Sequence, residues 1–194
     1  MRSLLRYGLI LGFICLIATG LLALVNRLTL PQITTQLIRE TEESLKEVLP
    51  QADRFEPVKQ NNEIIYYRAL DTNGALIGAA FKASAKGYSS VIETMVGMKT
   101  DGTINAIKIL AQNETPGLGS RITEVKTDTT IFDFFKGKKP DNTRKPWFCE
   151  QFSNKNITGF SGIQAITGAT ISSQAVIDSV KEKTQEIKRL LNGN

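Results

Sequence analysis

The stretch SVIETMVGMKTDGTINAIKILAQN, residues 90–113, predicts the centre of the fold. It consists of two runs rich in β-branched residues, joined by Asp101-Gly102. Asp-Gly between two such runs is a strong signal for a β-hairpin. The stretch therefore predicts two neighbouring strands of an antiparallel sheet.

Two further runs precede this hairpin and extend the predicted sheet to about four strands. EIIYYRAL (63–70) is followed by the turn DTNG (71–74) and by ALIGAAFKA (75–83). A loop that contains glycine, Lys86-Gly87-Tyr88-Ser89, separates the second and third strands. The tyrosine beside this glycine is typical of packing rather than of a ligand contact.

The C-terminal third predicts mixed structure that ends in a helix. A short helix is expected near Thr129–Phe135, and TRKPWFCEQF (143–152) is interpreted as one more strand. From residue 174 onward, apolar residues recur at helical spacing, and Ser172 or Ser173 suits the N-cap of this closing helix.

The N-terminal segment predicts a membrane anchor. Residues 7–25, YGLILGFICLIATGLLALV, contain no charge. About 20 residues in a helix span a hydrocarbon core of about 30 Å. A cleaved signal peptide is the alternative, but its apolar region is shorter, roughly 7–15 residues, and no clear A-x-A site follows. We therefore expect an uncleaved anchor over residues 1–27.

The charges that flank the anchor predict its orientation. Arg2 and Arg6 precede it, whereas Arg27 is soon followed by acidic residues. Positive charge favours the cytoplasmic side. We expect a single-pass protein of the cell (inner) membrane with its domain on the extracytoplasmic side.

A second helix is predicted directly after the anchor. Pro31 suits a helix start, and apolar residues then recur at helical spacing as far as Pro50. We interpret residues 28–50 as a stalk helix and residues 51–194 as a single domain. The fold class is thus α+β: a transmembrane helix, a stalk helix and an antiparallel sheet with flanking helices.

The composition excludes several classes of site. The chain has no histidine and two cysteines. Cys15 lies in the membrane segment and Cys149 is alone in the domain, so a disulfide, a zinc site and a histidine-dependent catalytic site are all excluded. The net charge of +5 comes from scattered residues without interleaved aromatics. This pattern indicates a solvated surface and no nucleic-acid partner.

The segment Thr167-Gly168-Ala169-Thr170-Ile171-Ser172-Ser173 predicts a phosphate site. Four hydroxyls and two small residues precede a helix N-terminus, where free N–H groups and the helix dipole favour an anion. The alternative is purely structural, because serine and threonine are common helix caps and Gly-Ala permits a tight turn. Composition by itself favours the structural interpretation.

The loop Glu114-Thr115-Pro116-Gly117-Leu118-Gly119 also has two interpretations. As structure, Thr-Pro-Gly forms a good turn. As function, its backbone N–H groups and the apolar Leu118 suit the face and polar edge of a flat heteroaromatic ring.

The order of these features resembles a known family. An anchor, a β-rich middle, GLGSRI after ETP, and TGATISS before a C-terminal helix occur together in the FMN-binding subunits of ion-translocating membrane redox complexes. The resemblance covers nearly the whole chain and is to the G subunits of Rnf complexes. The C subunit of the sodium-pumping NADH:quinone reductase is a related subunit that the chain also resembles.

This resemblance implies a covalent flavin. In the family the last threonine of the [S/T]-G-A-T motif, here Thr170, carries FMN through a phosphoester. A metal-dependent flavin transferase makes this bond from FAD, so the chain is its substrate and not an enzyme by itself. Thr167, Gly168, Ala169, Ser172 and Ser173 are expected on the phosphate side, and Glu114–Gly119 in the ring pocket. The family often has aspartate where this chain has Gln164.

The resemblance also implies a place in electron transfer. In Rnf complexes, electrons pass from reduced ferredoxin to NAD through iron–sulfur centres and flavins, and this drives Na⁺ or H⁺ across the membrane. This chain has no G-x-G-x-x-G motif and no cysteine cluster, so the other membrane and peripheral subunits must bind those groups. Two alternatives stay open: the quinone-reductase subunit, and an anchored extracytoplasmic binding domain without flavin.

Overall fold

A computed structural model describes residues 2–125 and 145–192, in two compact units. The first unit ends at Glu43 and the second begins at Ser44. The short helix expected near 129–135 lies outside the described residues.

The first unit is formed by a single helix. Helix α1 (Arg2–Val48) continues past the boundary between the units. Its most apolar 18-residue window has a mean hydropathy of 2.6, and none of the residues in that window is buried. It is therefore long and apolar enough to cross a membrane.

The predicted helix start at Pro31 is wrong, because α1 runs through this residue without a break. A proline in a helix has a suitable φ angle but donates no backbone hydrogen bond. The helix continues on both sides of it. The division into an anchor (1–27) inside the membrane and a stalk (28–50) outside it stays a prediction.

A five-stranded antiparallel sheet forms the centre of the second unit, as the predicted α+β class requires. Its strands follow one another in the sheet in their order along the chain. They are β1 (Arg54–Gln60), β2 (Glu63–Leu70), β3 (Leu76–Lys86), β4 (Val91–Lys99) and β5 (Ile104–Ala111).

The predicted hairpin between β4 and β5 is confirmed. Gly102 has a φ angle of 88°, and the Asp101 carboxylate accepts a hydrogen bond of 2.7 Å from the N–H of Thr103. The turn residues thus adopt the geometry that the sequence predicted.

Strand β1 was missed in the sequence. It contains Pro57 and alternates poorly between polar and apolar residues, both of which an edge strand tolerates. Asn61 and Asn62 join it to β2 with φ angles of 50° and 69°, and asparagine adopts this left-handed region more readily than most residues. The sheet consequently has five strands rather than about four.

The strand interpreted over residues 143–152 is wrong for its described part, residues 145–152. Helix α2 (Trp147–Glu150) lies there and begins directly after Pro146. Residues 143 and 144 lie outside the described residues. Phe148 and Phe152 are four residues apart and fully buried, with ring centroids 5.6 Å apart in an edge-to-face arrangement. The aromatic residues that suggested a strand therefore stabilise a helical turn.

Helix α3 (Thr170–Asn192) covers one face of the sheet. Val176, Val180 and Ile187 are fully buried there, in a large core that also includes α2 and residues of β3, β4 and β5. The predicted closing helix is therefore confirmed, and it provides most of the cover for this face.

The end of α1 packs on the other face of the sheet. A smaller core joins Leu45, Val48 and Leu49 to small residues of the strands. The Asn105 side chain donates a hydrogen bond of 2.7 Å to the carbonyl of Val48. A Cβ atom on Gly97 would lie 2.5 Å from that carbonyl oxygen, so glycine permits this close approach.

Gly97→Ala is expected to reduce the free energy of unfolding by about 1–3 kcal/mol, because the added methyl group pushes against the backbone of α1. Denaturant unfolding of the full chain in detergent, followed by the fluorescence of Trp147, measures this. Gly159→Ala is the matched control, since its nearest neighbour would be 3.6 Å away. Equal losses in the two variants would contradict the assignment.

Candidate functional site

A cavity of about 300 Å³ lies where three segments far apart in the sequence meet. Its wall is formed by the loop after β3, the loop after β5 and the start of α3. The lining residues are Tyr88, Thr115, Leu118, Gly119, Gly168, Ala169, Thr170, Ile171 and Ser172. A larger concavity of about 720 Å³ lies along α1, but residues of one helix alone line it and cannot enclose a ligand.

The Glu114 carboxylate connects all three segments. Its Oε1 accepts hydrogen bonds from the N–H groups of Ser89 and Ser90, at 3.1 and 2.8 Å, and from the Ser90 hydroxyl at 3.1 Å. Its Oε2 accepts from the N–H of Tyr88 at 3.1 Å and from the Ser172 hydroxyl at 2.6 Å. This single side chain therefore holds the cavity wall together.

The hydrogen bonds keep Glu114 ionised. The residue is only 5% exposed, and burial by itself raises the pKa of a carboxyl group. The hydrogen bonds from Ser172, Ser90 and Ser89 outweigh this and lower the pKa from 4.5 to about 2. Glu114 is therefore negatively charged at neutral pH and lies behind the cavity wall.

Two glycines make room for this carboxylate. A Cβ atom on Gly87 would lie 2.7 Å from Oε1. A Cβ atom on Gly119 would collide with Oε2 and would lie 2.7 Å from the Ser172 hydroxyl. Neither glycine has a positive φ angle, so both are required by close packing and not by backbone conformation.

The start of α3 differs from the predicted cap. The helix begins at Thr170, so Ser172 and Ser173 lie in its first turn and are not N-caps. The Ser173 hydroxyl accepts a hydrogen bond of 3.1 Å from the N–H of Ile166. Both serines are fully buried and tie the helix start to the segments before it.

Thr170 presents its hydroxyl at an N-terminus suited to an anion. The residue is exposed. In the described part of the chain, no group accepts a hydrogen bond from the N–H of Thr170, Ile171 or Ser172. Free N–H groups at the start of a 23-residue helix attract negative charge.

The turn before α3 depends on Gly168 and Arg121. Gly168 has a φ angle of 83°, which favours glycine. Arg121 donates a hydrogen bond of 2.8 Å to the carbonyl of Thr167. A Cβ atom on Gly168 would lie 4.0 Å from the Arg121 guanidinium, so a positive charge stands beside this turn.

Exposed apolar side chains surround the cavity. Tyr88, Leu118 and Ile171 are 70%, 51% and 58% exposed, respectively. Each lies in the cavity wall and comes from a different segment. Large apolar side chains left open around a cavity indicate a surface that an apolar or aromatic ligand covers.

The structure brings most of the predicted site residues together. Thr115, Leu118, Gly119 and residues 168–172 line the cavity, whereas Glu114 and Ser173 lie behind its wall. Thr167 adjoins the wall through its carbonyl, and Pro116 and Gly117 form the exposed turn of their loop.

Sequence reasoning missed two neighbours of the site. Tyr88 was interpreted as a packing residue, yet it is exposed in the cavity wall. Arg121 was not singled out, although it lies three residues after the Leu118 that was. Its place in the GLGSRI stretch, directly after the predicted ring pocket, was the available signal.

Cys149 does not line the cavity. It is a free thiol, 2% exposed, in the core beneath the sheet. Burial raises the pKa of its thiol to about 12. The thiol therefore remains protonated at neutral pH and is a core residue.

Glu114→Gln is expected to lower the free energy of unfolding at neutral pH by about 1–3 kcal/mol, because an NH2 group replaces one carboxylate oxygen and the buried donors to that oxygen lose their acceptor. A carboxyl whose pKa is lowered on folding stabilises the protein above its unfolded pKa. That contribution disappears as the pH falls from 4.5 to about 2.

Melting temperature against pH checks this. The wild type should lose stability steeply between pH 4.5 and 2, and Glu114→Gln should show a flatter curve. Glu182→Gln, which removes an exposed carboxylate from α3, should follow the wild type. A Glu114→Gln curve parallel to that of the wild type would contradict the assignment.

Comparison with known proteins assigns the chain to a family. Residues 87–185 match the FMN-binding domain, and residues 1–48 match the RnfG N-terminal region. The FMN-binding match includes all three segments of the cavity wall. FMN is thus the cofactor class that this domain binds.

Three relatives show the same assignment over most of their length. The G subunit of an ion-translocating oxidoreductase complex from Methanosarcina acetivorans is 32% identical, over 84% of each chain. The G subunit of the Na⁺-translocating ferredoxin:NAD⁺ oxidoreductase complex from Acetobacterium woodii is 30% identical, over 95% of this chain and 92% of its own. The G subunit of the proton-translocating ferredoxin:NAD⁺ oxidoreductase complex from Clostridium ljungdahlii is also 30% identical, over 92% and 89%.

The long apolar helix and the membrane complexes of these relatives place the chain in a membrane. The chain belongs to the family of G subunits of ion-translocating oxidoreductase complexes and contains that family's FMN-binding domain.

Proposed function

We propose that this chain relays electrons through an FMN that is joined by a phosphoester to Thr170. The observation that carries the proposal is the position of Thr170. Thr170 is exposed, lines the cavity and is the first residue of α3. The free N–H groups at the start of the helix would hold a phosphate on Thr170, and the residues that line the cavity would hold the rest of the flavin.

The residues of the cavity fit such a cofactor. Gly168 has a φ angle of 83° and lines the cavity without a side chain, and Gly119 leaves room for the Glu114 carboxylate behind the wall. Tyr88, Leu118 and Ile171 offer exposed apolar surface to a flat ring. Arg121 contributes positive charge beside the turn that carries the motif.

Attachment requires a partner enzyme. A flavin transferase transfers the FMN moiety of FAD to Thr170: the threonine oxygen bonds to the phosphorus, AMP leaves, and the hydroxyl proton is released. The exposure of Thr170 makes its oxygen accessible to this enzyme. The chain supplies the acceptor hydroxyl, and Arg121 and Gly168 hold the turn in position.

Bound FMN can accept or donate one electron at a time. The chain's own residues would hold the cofactor and set its electrostatic surroundings. We propose that electrons travel between reduced ferredoxin and NAD through this and other subunits. The relatives from A. woodii and C. ljungdahlii support this, because both are named as parts of ferredoxin:NAD⁺ oxidoreductase complexes.

The membrane arrangement is also part of the proposal. Residues 1–27 act as the anchor, 28–50 as the stalk and 51–194 as the FMN-binding domain, on the extracytoplasmic side. The basic residues before the apolar segment support this orientation. A covalent tether suits a domain outside the cytoplasm, because a lost flavin is not easily replaced there.

Thr170→Ala is expected to abolish covalent labelling when the chain is produced with a flavin transferase, because the acceptor oxygen is removed. In-gel flavin fluorescence after denaturation and intact mass measure the label. Thr167→Ala is the matched control: its hydroxyl is exposed but lies before the glycine, and labelling should persist.

If labelling is lost in Thr167→Ala and persists in Thr170→Ala, the attachment site is Thr167 and not Thr170. A wild-type chain that stays unlabelled would contradict the covalent proposal and favour the flavin-free binding domain. Co-purified subunits distinguish an Rnf-type complex from the quinone reductase.

Gln164→Asp is expected to accelerate labelling without changing the fold. The backbone of Gln164 is held by the Gln151 side chain through hydrogen bonds of 2.8 and 3.1 Å, and its own side chain is exposed to an approaching enzyme. A time course of in-gel fluorescence measures the rate. Gln185→Asp, exposed on α3, is the control for added charge, and equal rates in all three proteins would show that position 164 is not recognised.

A further inference from the structure

We infer that the Glu114 carboxylate is a fixed negative charge that lowers the reduction potential of the flavin bound in the adjacent cavity. This inference rests on the proposed function. It assigns to Glu114 an electrostatic role in addition to its structural one.

The carboxylate lies directly behind the cavity wall. Its Oε2 is 2.6 Å from the Ser172 hydroxyl and 3.1 Å from the backbone nitrogen of Tyr88. Both residues line the cavity, as does Gly119, whose missing side chain leaves the space that Oε2 occupies. One layer of backbone and a single hydroxyl therefore separate the charge from a ligand in the cavity.

No cation compensates this charge among the described residues. Every donor to the carboxylate is a neutral N–H or O–H group, from Tyr88, Ser89, Ser90 and Ser172. The nearby Arg121 is engaged instead with Glu124, at 3.1 Å, and with the Thr167 carbonyl. Hydrogen bonds stabilise the ionised group, but they leave its net charge of minus one in place.

Burial makes this charge effective over the distance to the cavity. Glu114 is 5% exposed, so water and salt screen it poorly. An electron that enters a ring beside such a charge is repelled, whereas the oxidised ring is neutral. The oxidised form is therefore favoured, and the reduction potential falls.

The test is a potentiometric titration of the full chain, labelled with FMN by its transferase and followed by flavin absorbance. Glu114→Gln removes the charge while it keeps the size of the side chain, and its potential should be more positive than that of the wild type. Glu182→Gln removes an exposed charge from α3 and should leave the potential unchanged. An unchanged or more negative potential in Glu114→Gln would overturn the inference.

Ser90→Ala provides an independent test that also serves if Glu114→Gln does not fold. The Ser90 hydroxyl donates to Oε1 at 3.1 Å but does not line the cavity. Without this hydrogen bond, more of the negative charge stays on the carboxylate oxygens. The reduction potential of the flavin should therefore become more negative. A change towards positive values, or none, would overturn the inference, whereas a merely structural role predicts no fixed sign.

The two proposals can fail separately. A wild-type chain that carries no flavin would overturn both the relay function and this inference. If the wild type is labelled and both Glu114→Gln and Ser90→Ala have its reduction potential, the relay function stands. The electrostatic role of Glu114 is then overturned.

Discussion

The buried carboxylate of Glu114 accepts hydrogen bonds from the loop after β3 and from the start of α3. These contacts hold the segments of the cavity wall together. Five hydrogen bonds from neutral donors keep the carboxylate ionised despite its burial. The same contacts require glycine at positions 87 and 119, because any side chain would occupy the place of the carboxylate. One interaction thus determines the shape of the cavity, the position of Ser172 and, two residues before it, the position of Thr170.

Within the second unit, the two faces of the sheet pack against different helices. One face receives the last turn of α1, which approaches β4 closely because Gly97 has no side chain. The other face carries α3, whose buried residues fix the helix and whose first residue is the proposed acceptor. The sheet therefore separates the attachment of α1 from the candidate flavin site, so each is held by its own core.

A phosphoester tether leaves the ring of a flavin chemically unmodified, so the surrounding protein must set its properties. Two opposite charges lie at different places around the cavity. Arg121 stands beside the turn that carries Thr170, and Glu114 stands behind the wall formed by Gly119 and Ser172. Positive charge is thus near the proposed phosphate end, and negative charge is near the enclosed side of the cavity.

The sequence by itself determined the apolar N-terminal helix, the hairpin at Asp101-Gly102 and the closing helix, because each depends on local periodicity or turn chemistry. It also identified the motif around Thr170, and the resemblance to a family implied that the ligand is a flavin. Strand β1 was missed because an edge strand tolerates Pro57 and weak alternation, and α2 was misread because its aromatic residues also suit a strand. Only the tertiary structure decided that Glu114 supports the wall and does not line it, since its partners lie 24 to 58 residues away along the chain. Contacts over such distances depend on how the segments pack, and no local pattern of residues encodes them.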